Sequence, residues 1–164
     1  MAVNDDSATG ELVHGIQMLH RTLRHITHTG ALTDGLGVAA FGVLNYIHRH
    51  EPARAGDIAR WLGVGPAAMS RQVADLEACG SLERTTDPDD ARAQLLTLTG
   101  LGRDRLRAAH AKRTQMMAKL LPDWDDDTTR AAARTITTLE SVLREGILAL
   151  IQREAAAAAE VDAT

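Results

Sequence analysis

"LGVGPAAMSRQVADLEACGSLERTTDPDDARAQLLTLTGLG", Leu62 to Gly102, is the stretch whose reading decides the fold. It opens on a glycine-bounded turn, Gly63–Gly65. From Pro66 onward, Met69, Val73 and Leu76 fall on one side of a helix. Proline suits a first helical turn, where its missing N–H would have had no partner, and Gly80 is a natural stop. Just upstream, 55–62 predicts a short helix that buries Ile58, Ala59 and Leu62. Two short helices joined by a glycine-containing turn predict a helix-turn-helix. After Gly80 the pattern changes to period two. Leu82 and Arg84 alternate with Glu83 and Thr85, and Leu96 and Leu98 alternate with Leu95, Thr97 and Thr99. That predicts a β-hairpin, and a helix-turn-helix followed by a hairpin is a winged helix. The hairpin tip is Asp87-Pro88-Asp89-Asp90-Ala91-Arg92. A loop needs its aspartates and proline, but it does not need the arginine.

Outward from this block the chain reads as helices. Leu12, Ile16, Leu19, Leu23 and Ile26 recur at steps of three and four, an amphipathic helix over roughly 10–29. The stretch Thr27–Gly37 breaks it, with Thr33 and Asp34 as candidate caps for a second helix over roughly 34–50. Leu36, Ala40, Val43, Leu44 and Ile47 face inward there, and Glu51-Pro52 ends it because a residue before proline avoids the helical region. Thr99 and Gly100 lead into a helix to about Leu121, and "PDWDDD" (Pro122–Asp127) precedes a last helix to about Glu154. The expected organisation is one domain over 1–164. It comprises an N-terminal dimerisation helix (10–32), a winged helix-turn-helix (33–99), C-terminal dimerisation helices (100–154) and a disordered tail (155–164). The fold class is mainly α with a small antiparallel β-hairpin. The long helices are too apolar on one side to be solvated alone, and most economically bury those seams against a second copy.

The 164 residues suffice for a real core. Only Phe41, Tyr46, Trp61 and Trp124 are aromatic, so that core is aliphatic. No apolar run approaches the roughly 18 residues of a membrane span. The acidic start "MAVNDDSATGELVHG" lacks the apolar stretch of a signal peptide. One cysteine, Cys79, forms no internal disulfide. A cytoplasmic protein is expected. Net charge is −4, but from Arg54 to Arg113 ten Lys/Arg face eight Asp/Glu, against eight and fourteen elsewhere. A mildly basic middle between acidic ends is compatible with a nucleic-acid partner.

The residues Leu62, Ser70, Leu76-Glu77, Gly80, Leu82, Arg84, Asp87-Pro88, Asp90, Arg92, Leu98-Thr99 and Gly102 form an ordered skeleton of about forty positions. In that skeleton the chain resembles the MarR family of bacterial transcriptional regulators. The resemblance implies a homodimer that binds pseudo-palindromic double-stranded DNA, most often as a repressor, and that is released by a small aromatic, often anionic effector. One departure is Ala91, where family members usually carry a basic residue between the wing aspartate and arginine.

On this reading Arg92 enters a narrow minor groove, whose concentrated negative potential favours arginine. Asp90, with Asp87 or Asp89, holds the loop and aims its guanidinium, and Arg84 supports the wing by a salt bridge. The recognition helix presents Ala67, Ala68, Ser70, Arg71 and Gln72. Arg71 can read guanine and Gln72 adenine, while Ser70 suits a phosphate. Arg71 and Gln72 point about 100° apart on a helix, so both need not face bases at once. Arg54 and Arg60 are candidate phosphate contacts. An effector would sit between the dimer base and the winged lobe, near His20, Arg24, Phe41, Tyr46 and Trp61.

Competing readings have weaker support. His14, His25 and His28, or His48 and His50, invite a metal sensor, but no ligand quartet of the kind zinc requires is visible. Cys79 as a redox switch lacks an adjacent base in sequence and reads as an inert, buried or half-buried thiol. A winged helix used only for protein contacts would not need Arg92. There is no HExxH, no phosphate-cradling glycine loop and no nucleophile spaced from its base. No enzyme activity, cofactor or metal is expected.

Overall fold

Val43, Leu44, Ile47 and Ile58 are wholly shielded from solvent, and the core grows around them. The computed structural model describes residues 7–28, 36–90 and 92–162. Its elements in chain order are α1 (Ala8–His28), α2 (Val38–His50), β1 (Ala53–Arg54), α3 (Ala55–Leu62), α4 (Pro66–Ala78), β2 (Leu82–Thr86), β3 (Gln94–Leu98), α5 (Gly100–Leu120) and α6 (Asp126–Asp162). The chain divides after Leu120 into two compact units.

In the first unit, Ala40, Val43, Leu44 and Ile47 line one face of α2. They meet Ile58 and Ala59 of α3, Met69, Val73 and Leu76 of α4, Leu82, Leu96 and Leu98 of the sheet, and Leu106 of α5. These are the inward positions that the helical and period-two spacings single out. Gly63 at φ 65° makes the sharp turn between α3 and α4, and its N–H joins the last carbonyls of α3. Gly80 at φ 71° ends α4, with Ser81 N–H donating to Leu76 O at 2.8 Å.

The sheet holds three antiparallel strands in the order β1-β3-β2. The hairpin register sets Leu82 opposite Leu98 and Arg84 opposite Leu96. The expected two-stranded hairpin is thus corrected by one strand. Ala53 and Arg54 pair with Leu96 and Leu95, and two residues are too few to show a period. Glu51 closes the same corner. Its carboxylate accepts the Leu98 N–H at 2.7 Å and the Arg103 guanidinium at 2.9 and 2.8 Å.

Helix boundaries differ from expectation in three places. Ser7 caps α1 through the Gly10 N–H at 3.0 Å, so the helix starts earlier. The N-cap of α2 is Gly37, with no side-chain bond. Thr33 and Asp34, expected in that role, lie outside the described residues. In the second unit α6 runs on to Asp162, past the expected end at Glu154, because an alanine run has the best intrinsic helix propensity. Asp125 starts α6 by accepting the Thr128 N–H at 2.8 Å, and that bond holds its carboxyl below the usual carboxylate range.

Each long terminal helix carries an uncovered apolar face. On α1, Leu12, Val13, Ile16, Leu19 and Leu23 are exposed; on α6, Ile136, Val142, Leu143, Ile147, Leu150 and Ile151 are exposed. Among the described residues no helix is long and apolar enough to cross a membrane.

Candidate nucleic-acid interface

Helix α4 starts at Pro66 and turns Met69, Val73 and Leu76 into the core. The opposite face is thereby fixed. Ala67, Ala68, Ser70 and Arg71 are exposed, and among the described residues nothing pairs with the Arg71 guanidinium. Gln72, expected beside Arg71, is half-buried. It lines a cleft of about 540 Å³ with Asp75 and Leu76 of α4, Cys79 just past its end, Arg105 of α5 and Leu36, Gly37 and Ala40 around the start of α2. The 100° separation expected between Arg71 and Gln72 is what divides them. Ser70 borders a smaller cleft between α3 and α4, which Arg60 and Arg84 also line.

The wing loop is tied mostly to itself. Asp87 N–H donates to Ala93 O at 3.1 Å and Ala93 N–H to Asp90 O at 2.8 Å. Asp87 Oδ1 accepts the Asp89 N–H and Asp90 Oδ1 accepts the Arg92 N–H, each at 3.0 Å. Asp90, expected to hold the loop and aim the Arg92 guanidinium, makes its bond to the loop. It holds the Arg92 backbone, and among the described residues no group pairs with that guanidinium. The charge at the tip stands in solvent on a fixed loop.

Three other arginines have protein partners. Arg84 Nε lies 2.7 Å from Glu77 Oε2, which joins β2 to α4. Arg60 pairs with Asp57 at 3.1 Å on the surface of α3. Arg54, expected at a phosphate, has its guanidinium on Asp87, with Nε 3.1 Å from Oδ2 and a second, shorter contact from Nη2. The Asp87 side chain is only 6% exposed. The Asp89 N–H and then Arg54 hold its carboxyl below the usual range, while Asp87 raises the Arg54 guanidinium.

Cys79 departs from the inert thiol expected. Its residue is exposed, its Sγ is 3.2 Å from Ser81 Oγ, and Arg105 Nη1 reaches it at 2.9 Å. The Ser81 hydroxyl, and then Arg105, lower the thiol against an opposing effect of burial. Arg105 is 26 residues away in sequence, so inspection of the neighbours of Cys79 misses it.

The candidate effector residues do not gather in one place. Phe41 meets His110 edge-on at 5.0 Å between ring centroids, with Arg113 over its face at 3.2 Å. Tyr46 instead meets His50 at 4.6 Å and Trp61 at 5.4 Å. Five positions apart on a helix, Phe41 and Tyr46 point about 140° apart, so α2 carries two separate aromatic groups. His20 and Arg24 lie exposed on α1. Burial, then Arg113, Arg49 and His48, push the His110 imidazole down. Among the described residues no three His, Cys, Asp or Glu side chains group as metal ligands.

Comparison with known proteins points one way. Residues 34–93 match the model of the MarR family. The chain is 33% identical over 92 residues to the HTH-type transcriptional regulator YxaD of Bacillus subtilis (strain 168), covering 56% of this chain and 64% of YxaD. The match therefore spans under two-thirds of that relative's length. Among solved structures, the transcriptional regulator BldR from Sulfolobus solfataricus superposes with a TM-score of 0.69 at 20% identity, over 85% of this chain and 99% of BldR. A point mutant of S. aureus MepR, bound to an oligodeoxyribonucleotide, gives 0.54 at 21% identity, over 78% and 97%. At such identities the two structures speak for the fold alone. With a helix-turn-helix and a wing in the order and spacing described, the chain has the winged-helix fold of these regulators and is similar to the MarR family over residues 34–93.

Proposed function

We propose that this chain is a cytoplasmic transcriptional regulator that binds pseudo-palindromic DNA as a homodimer. The observation that carries the reading is the pairing of two exposed cations. Arg92 stands unpaired on a self-tied wing, and Arg71 stands unpaired on the outward face of α4, among the described residues. A helix of this kind enters the major groove with its N-terminal residues toward base edges. Ala67 and Ala68 are small enough to let its backbone approach, and Ser70 and Arg60 serve phosphates. The structural neighbour MepR, which shares this fold, is bound to an oligodeoxyribonucleotide, which favours DNA as the partner.

Dimerisation rests on the uncovered seams of α1 and α6. Burial of apolar surface gains roughly 25 cal/mol per Å², and a second copy offers the same seams by symmetry. Two recognition helices about 34–36 Å apart would then meet successive major grooves. Repression follows when such a dimer covers a promoter. The effector reading is narrowed by geometry. Arg113 and His110 already occupy the Phe41 ring, which leaves Tyr46, Trp61 and His50 as the aromatic group open to a small anionic aromatic. An effector that favours the DNA-incompetent form by about 1–3 kcal/mol weakens binding 5–150-fold.

The test is genomic footprinting of the purified full chain, followed by titration of the recovered site at several salt concentrations. Protection of an inverted repeat, with affinity falling steeply as salt rises, supports the proposal. Absence of any protected site would leave a winged helix that serves protein contacts. Titration of salicylate into the complex tests the effector arm.

A further inference from the structure

Arg54 and Asp87 lie 33 residues apart in sequence and meet at the base of the wing. Arg54 is the residue immediately before α3, with φ −90° and ψ 141°, and it also forms β1. Asp87 is the first residue after β2, at the start of the wing tip, and its carboxylate is buried. One oxygen of that carboxylate takes the guanidinium and the other takes the Asp89 N–H. A buried carboxylate must be paired or it costs heavily, so the link is not an incidental surface contact. Asp90 and Asp57 add to the negative field at Arg54. The Arg54 guanidinium is thus directed at Asp87 within the protein.

Resting on the regulator reading above, we infer that Arg54 and Asp87 are positioning residues that lock the wing to the first helix of the helix-turn-helix, so that Arg92 is delivered at a fixed offset from Arg71. Without the lock, the hydrogen bonds within the loop would still shape the tip. Its direction relative to α4 would then depend on the hairpin alone. Arg54 acts through Arg92 and does not itself touch DNA.

The experiment uses the full chain on the footprinted operator, with Arg54→Gln, Arg54→Lys, Asp87→Asn, the double Arg54→Gln/Asp87→Asn and Arg92→Ala. Arg54→Gln and Asp87→Asn should each weaken binding about tenfold with the slope of log affinity against log salt unchanged. Arg92→Ala should lower that slope by about one. Adding Arg92→Ala to Arg54→Gln should cost little more than Arg92→Ala alone, because an arginine already misplaced has little left to lose. Arg54→Lys should restore part of the affinity. If Arg54→Gln lowers the slope by about one and its effect adds fully to that of Arg92→Ala, Arg54 is a phosphate contact and the inference fails.

A second readout needs no DNA. In Arg54→Gln and Asp87→Asn, amide exchange at Asp89 and Ala93 should quicken about tenfold while α2 and α5 keep their protection. The double variant, which leaves no uncompensated buried charge, guards against simple unfolding. Unchanged exchange at Asp89 and Ala93 in a folded variant overturns the lock. If the wild-type chain binds no DNA, the regulator reading falls, and exchange alone still decides whether the lock exists.

Discussion

Arg105 Nη1 stands 2.9 Å from Cys79 Sγ and 2.8 Å from Ser81 Oγ, so a cation on α5 holds the turn that ends α4. The same nitrogen reaches Cys79 O at 3.2 Å. The Ser81 hydroxyl and this guanidinium favour the thiolate over the thiol. Alkylation by iodoacetamide, followed by mass spectrometry across pH, should therefore show a midpoint below the ordinary cysteine value of about 8.5. Arg105→Ala should move that midpoint upward. A midpoint at or above the ordinary value in the wild-type chain would show that the guanidinium does not act on the sulfur in solution.

Arg92 and Arg71 should fail differently. Arg92→Ala removes a charge from the wing, so it should weaken binding across many A·T-rich sites and lower the salt slope by about one. On the proposed reading Arg71→Ala removes a base-edge contact. It should cost roughly 1–3 kcal/mol at the operator and much less on random DNA. Fluorescence anisotropy on both DNAs separates them. Equal losses on operator and random DNA for Arg71→Ala would remove it from base reading.

Gly102 has no room for a side chain. A Cβ there would lie 2.0 Å from the carbonyl oxygen of Ser81, which is backbone and cannot swing away. Thr99 fixes the same junction, donating from Oγ1 to Gly80 O at 2.6 Å and accepting the Gly102 N–H at 3.0 Å. Gly102→Ala should destabilise by about 1–3 kcal/mol and lower Tm by roughly 3–10 °C. Gly100→Ala, where a Cβ meets open space, is the control and should leave Tm within about 2 °C.

His110 sets an acid limit. Burial against Phe41, beside Arg113, Arg49 and His48, lowers its folded pKa. The unfolded chain therefore takes up this proton at higher pH than the folded chain does. The stability contributed by neutral His110 is complete above its ordinary value of about 6.5 and is lost as pH falls below it. Thermal melts at pH 7.5 and 5.5 should show a drop that His110→Leu reduces. A drop of equal size in the variant would assign the acid sensitivity to other groups.

The legible parts of the fold were those with a local signal. The spacing of Met69, Val73 and Leu76, and the alternation around Leu96 and Leu98, mark the buried face of each element directly, and all five are buried. What was illegible depends on distance along the chain. Arg54 with Asp87, Arg105 with Cys79 and Glu51 with Arg103 are 33, 26 and 52 residues apart. No periodicity reports such pairs. The wing aspartates read as turn formers because their chemistry is the same whether they face water or a guanidinium. Only the packed fold shows that Asp87 is buried while Asp89 and Asp90 are exposed. The end of α6 escaped for another reason. An alanine run has no apolar stripe to follow, yet it forms helix readily.

The Glu51 carboxylate has a consequence for solubility. β1 covers only two residues of β3, and Leu98 lies beyond its end with an N–H facing the same side. An unpaired amide at a strand edge is an invitation to a foreign strand. Glu51 satisfies that amide from its own chain, and Arg103 holds the carboxylate in place. The side chain thus works as a substitute rung that ends the ladder. Its loss would leave β3 as a template on which the strand of another molecule could grow, so the harm would show first as aggregation at high concentration.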